Sequence, residues 1–124
     1  MSWNSSKFNS ALSERCFCFS ESVVLFLKPL RFYGLFQRMI TQFVDSATSM
    51  GANITESKYS DTKKEFKRYY EIALKSGNEA RYWLRLLSST HDTVDKQKSN
   101  LILRELNELT AIIAKSIKTM KKNL

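Results

Sequence analysis

Apolar residues recur every three or four positions along nearly the whole chain, and the interruptions are few. In the first stretch the stripe is Phe8, Leu12, Cys16, Phe19, Val23, Phe26 and Leu27, the spacing of one helix face, and it predicts a helix over 6–28. Pro29 stops it, because proline has no backbone N–H to offer a further turn. After the linker "PLRFYG", a second stripe of Phe36, Ile40, Phe43, Ala47, Met50, Gly51 and Ile54 predicts a helix over 34–57. Its side chains shrink toward Ala47 and Gly51. A glycine inside a helix costs about 1 kcal/mol relative to alanine, so its presence there predicts a close crossing with another backbone. Asn53, beside it, is placed to bond that neighbouring backbone.

The third helix, over 62–88, opens on Thr62 and Glu65 in the form of a capping box. Phe66, Tyr70, Ala73, Gly77, Ala80, Leu84 and Leu87 form its inward face. The polar stretch "SSTHDTVDKQKSN" then leads into a fourth helix over 96–121, with Ile102, Leu106, Leu109, Ile113, Ile117 and Met120 inward. Three glycines and one proline in 124 residues leave too few turns for a β-sandwich. The expected fold is all-α: one domain, an antiparallel up-down four-helix bundle spanning 1–124.

The first helix breaks the pattern in one respect. Phe17, Val24 and Leu25 lie off its stripe and are also apolar. A helix apolar nearly all round needs cover on more than one side, so these three residues are expected to form an oligomer interface.

Charge adds a second asymmetry. The chain carries 20 Lys and Arg against 12 Asp and Glu, a formal net charge of +8. Up to residue 62 there are 6 basic and 5 acidic groups; from residue 63 onward there are 14 and 7. A basic half points to a polyanionic partner. On the third helix Lys64, Lys67, Arg68 and Lys75 form one row, with Arg81 and Arg85 along its flank; on the fourth, Arg104, Lys115, Lys118 and Lys122 form another. Such rows suit phosphate contacts, which give affinity without reading sequence. Tyr82, on the polar side, is a candidate for stacking on a base.

Candidate chemistry is otherwise thin. Cys16 and Cys18 point about 200° apart on a helix and cannot readily bridge, so both read as small buried residues in a reducing cytoplasm. His91, the single histidine, stands near Asp92 and Asp95 in a loop without a fourth metal partner. Glu105 and Glu108 read as a solvated edge rather than an acid–base pair. No glycine-rich phosphate loop occurs. The apolar run "VVLFLKPL" is too short to span a bilayer. The expectation is a cytoplasmic protein that is not an enzyme, with no catalytic residues, no metal, no cofactor and no membrane association.

One segment is more specific. "SMGANITES" followed by "KKEFKRYYEIALKSGNEARYWLRLL" resembles the four-helix-bundle family named for proteins encoded in intervening sequences of bacterial 23S rRNA genes. That family carries Ser-Ile-x-x-Asn-Ile-x-Glu at the end of one helix, with Glu-Phe, Ile-Ala and Trp-Leu pairs along the next. Ser49, Asn53, Ile54 and Glu56 match the first part; Glu65, Phe66, Ile72, Ala73, Leu74, Glu79, Trp83 and Leu84 match the second. "ELTAIIAKSIKTMKK" is similar to the family's last helix, and the resemblance runs from about Gln42 to Lys122. Asp45 departs from it, standing where the family usually has arginine.

The resemblance implies an up-down bundle that assembles as a homopentamer. It also points to a related branch, accessory proteins of diversity-generating retroelements, which are basic pentameric bundles binding nucleic acid and a reverse transcriptase. Two functions follow as expectations. The first is an oligomeric nucleic-acid binder, for structured RNA before DNA. The second is an interaction scaffold or accessory subunit that docks an acidic protein partner or a reverse transcriptase complex.

Overall fold

A computed structural model describes residues 8–31 and 33–122. Among them lie four α-helices: α1 (Ser10–Leu27), α2 (Leu35–Glu56), α3 (Lys63–Thr90) and α4 (Lys96–Lys122). A 3-10 turn, Ser57–Tyr59, follows α2. Each helix packs on its sequence neighbour, and α1 also closes against α4, so the four form an up-down ring around one core. The α2–α3 pair is the most extensively packed, and α1–α4 the least.

The helix ends have local causes. Asn9 caps α1 by accepting from the Leu12 N–H at 2.9 Å, so the helix begins later than the expected residue 6; residues 1–7 lie outside the described part. Lys28 closes it with an N–H bond to the Val24 carbonyl, and Pro29 goes no further. Gly34 then turns the chain with φ +61°, a region that L side chains rarely adopt. Thr62 caps α3 through its hydroxyl, which accepts from the Glu65 N–H at 3.1 Å. The third helix continues to Thr90, two residues past its expected end, because His91 still donates its N–H to the Leu87 carbonyl at 2.9 Å.

The core is the set of stripes read from the sequence, with a few polar additions. All seven inward residues of α3 are buried, as are six of the seven on α1. On α2, Met39 and Ser46 join the buried face while Phe36 is half-buried; on α4, Ser99 and Thr110 join it while Met120 is half-buried. The polar additions need partners, and they have them. The Ser46 hydroxyl donates to the Gln42 carbonyl at 2.8 Å, and Thr110 donates to the Leu106 carbonyl at 2.9 Å. Ser99 meets Ser88 of α3 through a short hydroxyl–hydroxyl bond.

Two glycines set how closely the helices approach. A Cβ on Gly51 would sit 3.1 Å from Cys16 Cβ, so α1 crosses α2 there, at the predicted point. Asn53 does not bond the crossing backbone. Its Nδ2 donates to the Ser49 carbonyl at 2.9 Å within α2, because the i−4 carbonyl lies within reach of its short side chain. Gly77 is tighter: a Cβ there would lie 2.5 Å from Thr110 Cγ2 and 2.9 Å from Met50 Sδ.

The cysteines divide. Cys16 is buried at the crossing, and that burial pushes its thiol up to about 11, which leaves it protonated at neutral pH. Cys18 is exposed, contrary to the expectation of two buried residues, because two positions along a helix turn a side chain about 200° away from the core.

The Gly77 junction yields a stability prediction. Gly77→Ala should destabilise the fold by about 1–3 kcal/mol despite the better helix propensity of alanine, since Thr110 is itself held in place by its hydrogen bonds. Gly51→Ala, facing a contact at 3.1 Å rather than 2.5 Å, should cost less. Urea unfolding of the two variants gives the comparison, and equal midpoints would contradict it.

Candidate nucleic-acid interface

The basic rows sit on α3 and α4, two antiparallel neighbours whose relative level is fixed by direct contacts. Ser88 meets Ser99, Arg81 meets Asn107, and Gly77 faces Thr110. Counting fourteen residues back from Arg81 and fourteen on from Asn107 brings Lys67 level with Lys121. The first turns of α3 and the last turns of α4 therefore share one end of the bundle. Lys64, Lys67 and Arg68 lie there with Lys115, Lys118 and Lys122. Lys67 is half-buried and the other five are exposed.

Lys121, exposed in the last turn of α4, belongs to the same end. So does Lys58, on the 3-10 turn. Neither was among the expected residues, although the run "KTMKK" carries the signal for Lys121. Glu14, Glu56, Asp61, Glu65 and Glu71 are carboxylates of this end, and cations outnumber them there. Lys121 and Lys122 in the last turn also lie at the negative end of the α4 dipole, a favourable placement for a cation.

The remaining expected residues are not gathered at this end. Lys75 is exposed near the middle of α3. Arg85 and Arg104 are exposed and roughly level with each other in the opposite half. Arg81 has a different occupation. Its Nε donates to Asn107 Oδ1 at 2.8 Å, Nη1 to Asn78 Oδ1 at 2.9 Å, and Nη2 to Thr110 Oγ1 at 2.6 Å. The guanidinium is thereby committed to joining α3 to α4, and a phosphate would have to displace those partners. Periodicity placed Arg81 on the flank of the row but could not show what stood opposite.

The motif residues have structural positions. Ser49 Oγ bonds Ser76 Oγ of α3 at 3.0 Å and receives the Asn53 amide at 3.2 Å, a small polar seam between α2 and α3. Ile54 is fully buried, Glu56 is exposed, and Glu65 contributes its backbone N–H to the α3 cap. Phe66 is buried and stacks on Tyr70 with centroids 4.9 Å apart. Trp83 is half-buried against Tyr82, and its Nε1 has no hydrogen-bond partner among the described residues.

Phe17, Val24 and Leu25 are 59%, 50% and 65% exposed. Beside Leu25 an apolar groove of about 370 Å³ runs between α1 and α4, with Phe19, Phe26 and Ile102 among its walls and Leu101 on its rim.

Three groups with possible chemistry prove to be structural. Glu105 is not a solvated edge: it grips Arg15 of α1 with two bonds, at 2.9 and 2.7 Å, and Glu108 adds a third at 3.1 Å. The bond to Glu105 raises the Arg15 pKa above its ordinary value. His91, at the end of α3, is buried. Its Nδ1 accepts from the Thr93 N–H at 3.3 Å, so the ring proton belongs on Nε2, which faces the Arg31 carbonyl at 3.2 Å. Phe36 packs edge-on to the ring, at 4.5 Å. Among the described residues no group of three or more His, Cys, Asp or Glu could hold a metal ion, and no helix is long and apolar enough to cross a membrane.

Comparison with known proteins bears on this arrangement. A family model described as 23S rRNA-intervening sequence protein matches residues 12–115. A crystal structure of a protein of unknown function from the S23 ribosomal protein family of Bacteroides thetaiotaomicron VPI-5482 superposes with a TM-score of 0.76 at 28% identity. The match covers 86% of this chain and 98% of that one. No curated protein matches the sequence.

The Arg81 geometry separates structure from binding. Arg81→Ala should lower stability by about 1.5–3 kcal/mol, the scale of a hydrogen bond to a charged group. Polyanion affinity should stay unchanged. Thermal unfolding and a heparin-retention assay on the same variant test both halves, and weakened retention at full stability would return Arg81 to the binding surface.

Proposed function

The chain belongs to the family of 23S rRNA-intervening sequence proteins, and from that premise we propose that it is an oligomeric, non-catalytic binder of structured RNA. The observation that carries this reading is the gathering of Lys64, Lys67, Arg68, Lys115, Lys118, Lys121 and Lys122 at one end of α3 and α4. Two rows of cations on rigid helices whose axes lie about 8–10 Å apart can contact phosphates of more than one strand segment. Such contacts release counterions and supply affinity without sequence reading.

Oligomerisation is the second part of the proposal. The exposed apolar residues Phe17, Val24 and Leu25 on α1 support a subunit interface, and the family resemblance supports a pentamer. In a ring each basic end is repeated, so contacts that are weak singly act together on one RNA. Docking of an acidic protein partner by the same basic end is the alternative, and it differs in predicting little affinity for RNA alone.

Charge reversal tests the first part. The double variant Lys67→Glu, Lys118→Glu should bind every structured RNA tried at least about tenfold more weakly. It should also flatten the dependence of log K on log salt by roughly 0.9 for each phosphate that is no longer neutralised. Fluorescence anisotropy at two salt concentrations reads both. An unchanged slope would remove these lysines from the interface. For the second part, Val24→Asp should dissociate the assembly in sedimentation velocity, whereas a monomeric wild type would end the oligomer proposal.

A further inference from the structure

We infer that Tyr59 is a stacking platform for an unpaired nucleobase, so that the preferred ligand is a duplex ending in, or interrupted by, a short single strand. This rests on the RNA-binding reading and narrows it.

Tyr59 closes the 3-10 turn Ser57–Tyr59, which is pinned from both sides. Ser57 is buried and donates its hydroxyl to the Ile54 carbonyl at 2.6 Å, while its own carbonyl accepts the Ser60 N–H at 3.2 Å. Ser60 is also buried. With both serines turned inward, Lys58 and Tyr59 are turned outward. Tyr59 is 68% exposed, on a backbone that holds its position. Lys58 Nζ stands 5.9 Å from the ring centroid, within cation–π range, and so places one cation beside the ring.

The turn leads directly into the first turns of α3, where Lys64, Lys67 and Arg68 begin the basic end. The charges nearest the turn are mixed, since Glu56 and Asp61 flank it. Those carboxylates disfavour a phosphate at the turn itself and leave an uncharged base as the better occupant, with its flanking phosphates toward the lysines. Aromatic side chains beside a basic surface bind single strands in this way, because every base presents a π-face. Tyr82, the exposed tyrosine of α3, is less suited. It lies edge-on to Trp83, with centroids 5.3 Å apart, and stands fourteen residues from Arg68, about 21 Å along the helix.

The test uses the full chain and three labelled ligands: a blunt RNA hairpin, the same hairpin with a short single-stranded tail, and the DNA counterpart of the tailed form. Anisotropy titrations compare the wild type with Tyr59→Ala and Tyr59→Phe. The wild type should bind the tailed hairpin more tightly than the blunt one. Tyr59→Ala should lose about tenfold on the tailed hairpin and nothing on the blunt one, and Tyr59→Phe, which keeps the ring, should retain the preference. Equal affinity for tailed and blunt RNA, or an equal loss on both in Tyr59→Ala, overturns the stacking site while leaving RNA binding in place. No binding of either hairpin by the wild type overturns both. A tail preference shown equally by the DNA supports base stacking without sugar recognition; a preference confined to RNA supports stacking together with contact to the 2′-hydroxyl.

Discussion

At Gly77 the missing side chain lets α3 lie against Met50 of α2 and Thr110 of α4 at once. Thr110 also takes the Arg81 guanidinium and bonds the Leu106 carbonyl, so one residue of α4 is held by packing and by hydrogen bonds together. A contact this tight tolerates little sliding. It fixes the level of α3 against α4, and with it the meeting of Ser88 with Ser99 at one end and the shared level of Lys67 and Lys121 at the other. The proposed interface is in this sense a consequence of a glycine well away from it.

The first helix is held differently. Gly51 lets it approach α2 at Cys16, Ser13 bonds Thr55 at 2.9 Å, and Arg15 reaches across to Glu105 and Glu108. Partly exposed ion pairs of this kind contribute about 0.2–1 kcal/mol each, so they orient α1 more than they stabilise it. The stabilisation comes from its buried face, Leu12 through Leu27. A helix seated on one face and apolar on another leaves Phe17, Val24 and Leu25 exposed, and the proposed subunit contact rests on them.

The polar chemistry follows one rule throughout. Groups that sequence alone would offer to a ligand or a reaction, namely Arg81, Glu105, Glu108 and His91, are instead bound to other helices or loops. Exposed cations on the outer turns of α3 and α4 gather at one end of the bundle, while Lys75, Arg85 and Arg104 are exposed elsewhere. Long side chains on rigid supports, facing water, are suited to the mobile and redundant contacts that phosphates make.

The sequence by itself determined which face of each helix is buried. Burial follows the helical period, and a repeat of 3.6 residues is a local property that needs no partner to be read. It also determined the turns at Pro29 and Gly34, the Thr62 cap, and the small-residue crossing at Gly51, all of which arise from single-residue backbone preferences. Only the tertiary structure decided which polar residues became partners. Arg15 and Glu105 are 90 residues apart, and His91 and the Arg31 carbonyl 60. Periodicity gives the direction of a side chain around its axis but not the level of the facing helix along it. That level is set by where two helices can approach most closely, and here Gly77 and Thr110 set it.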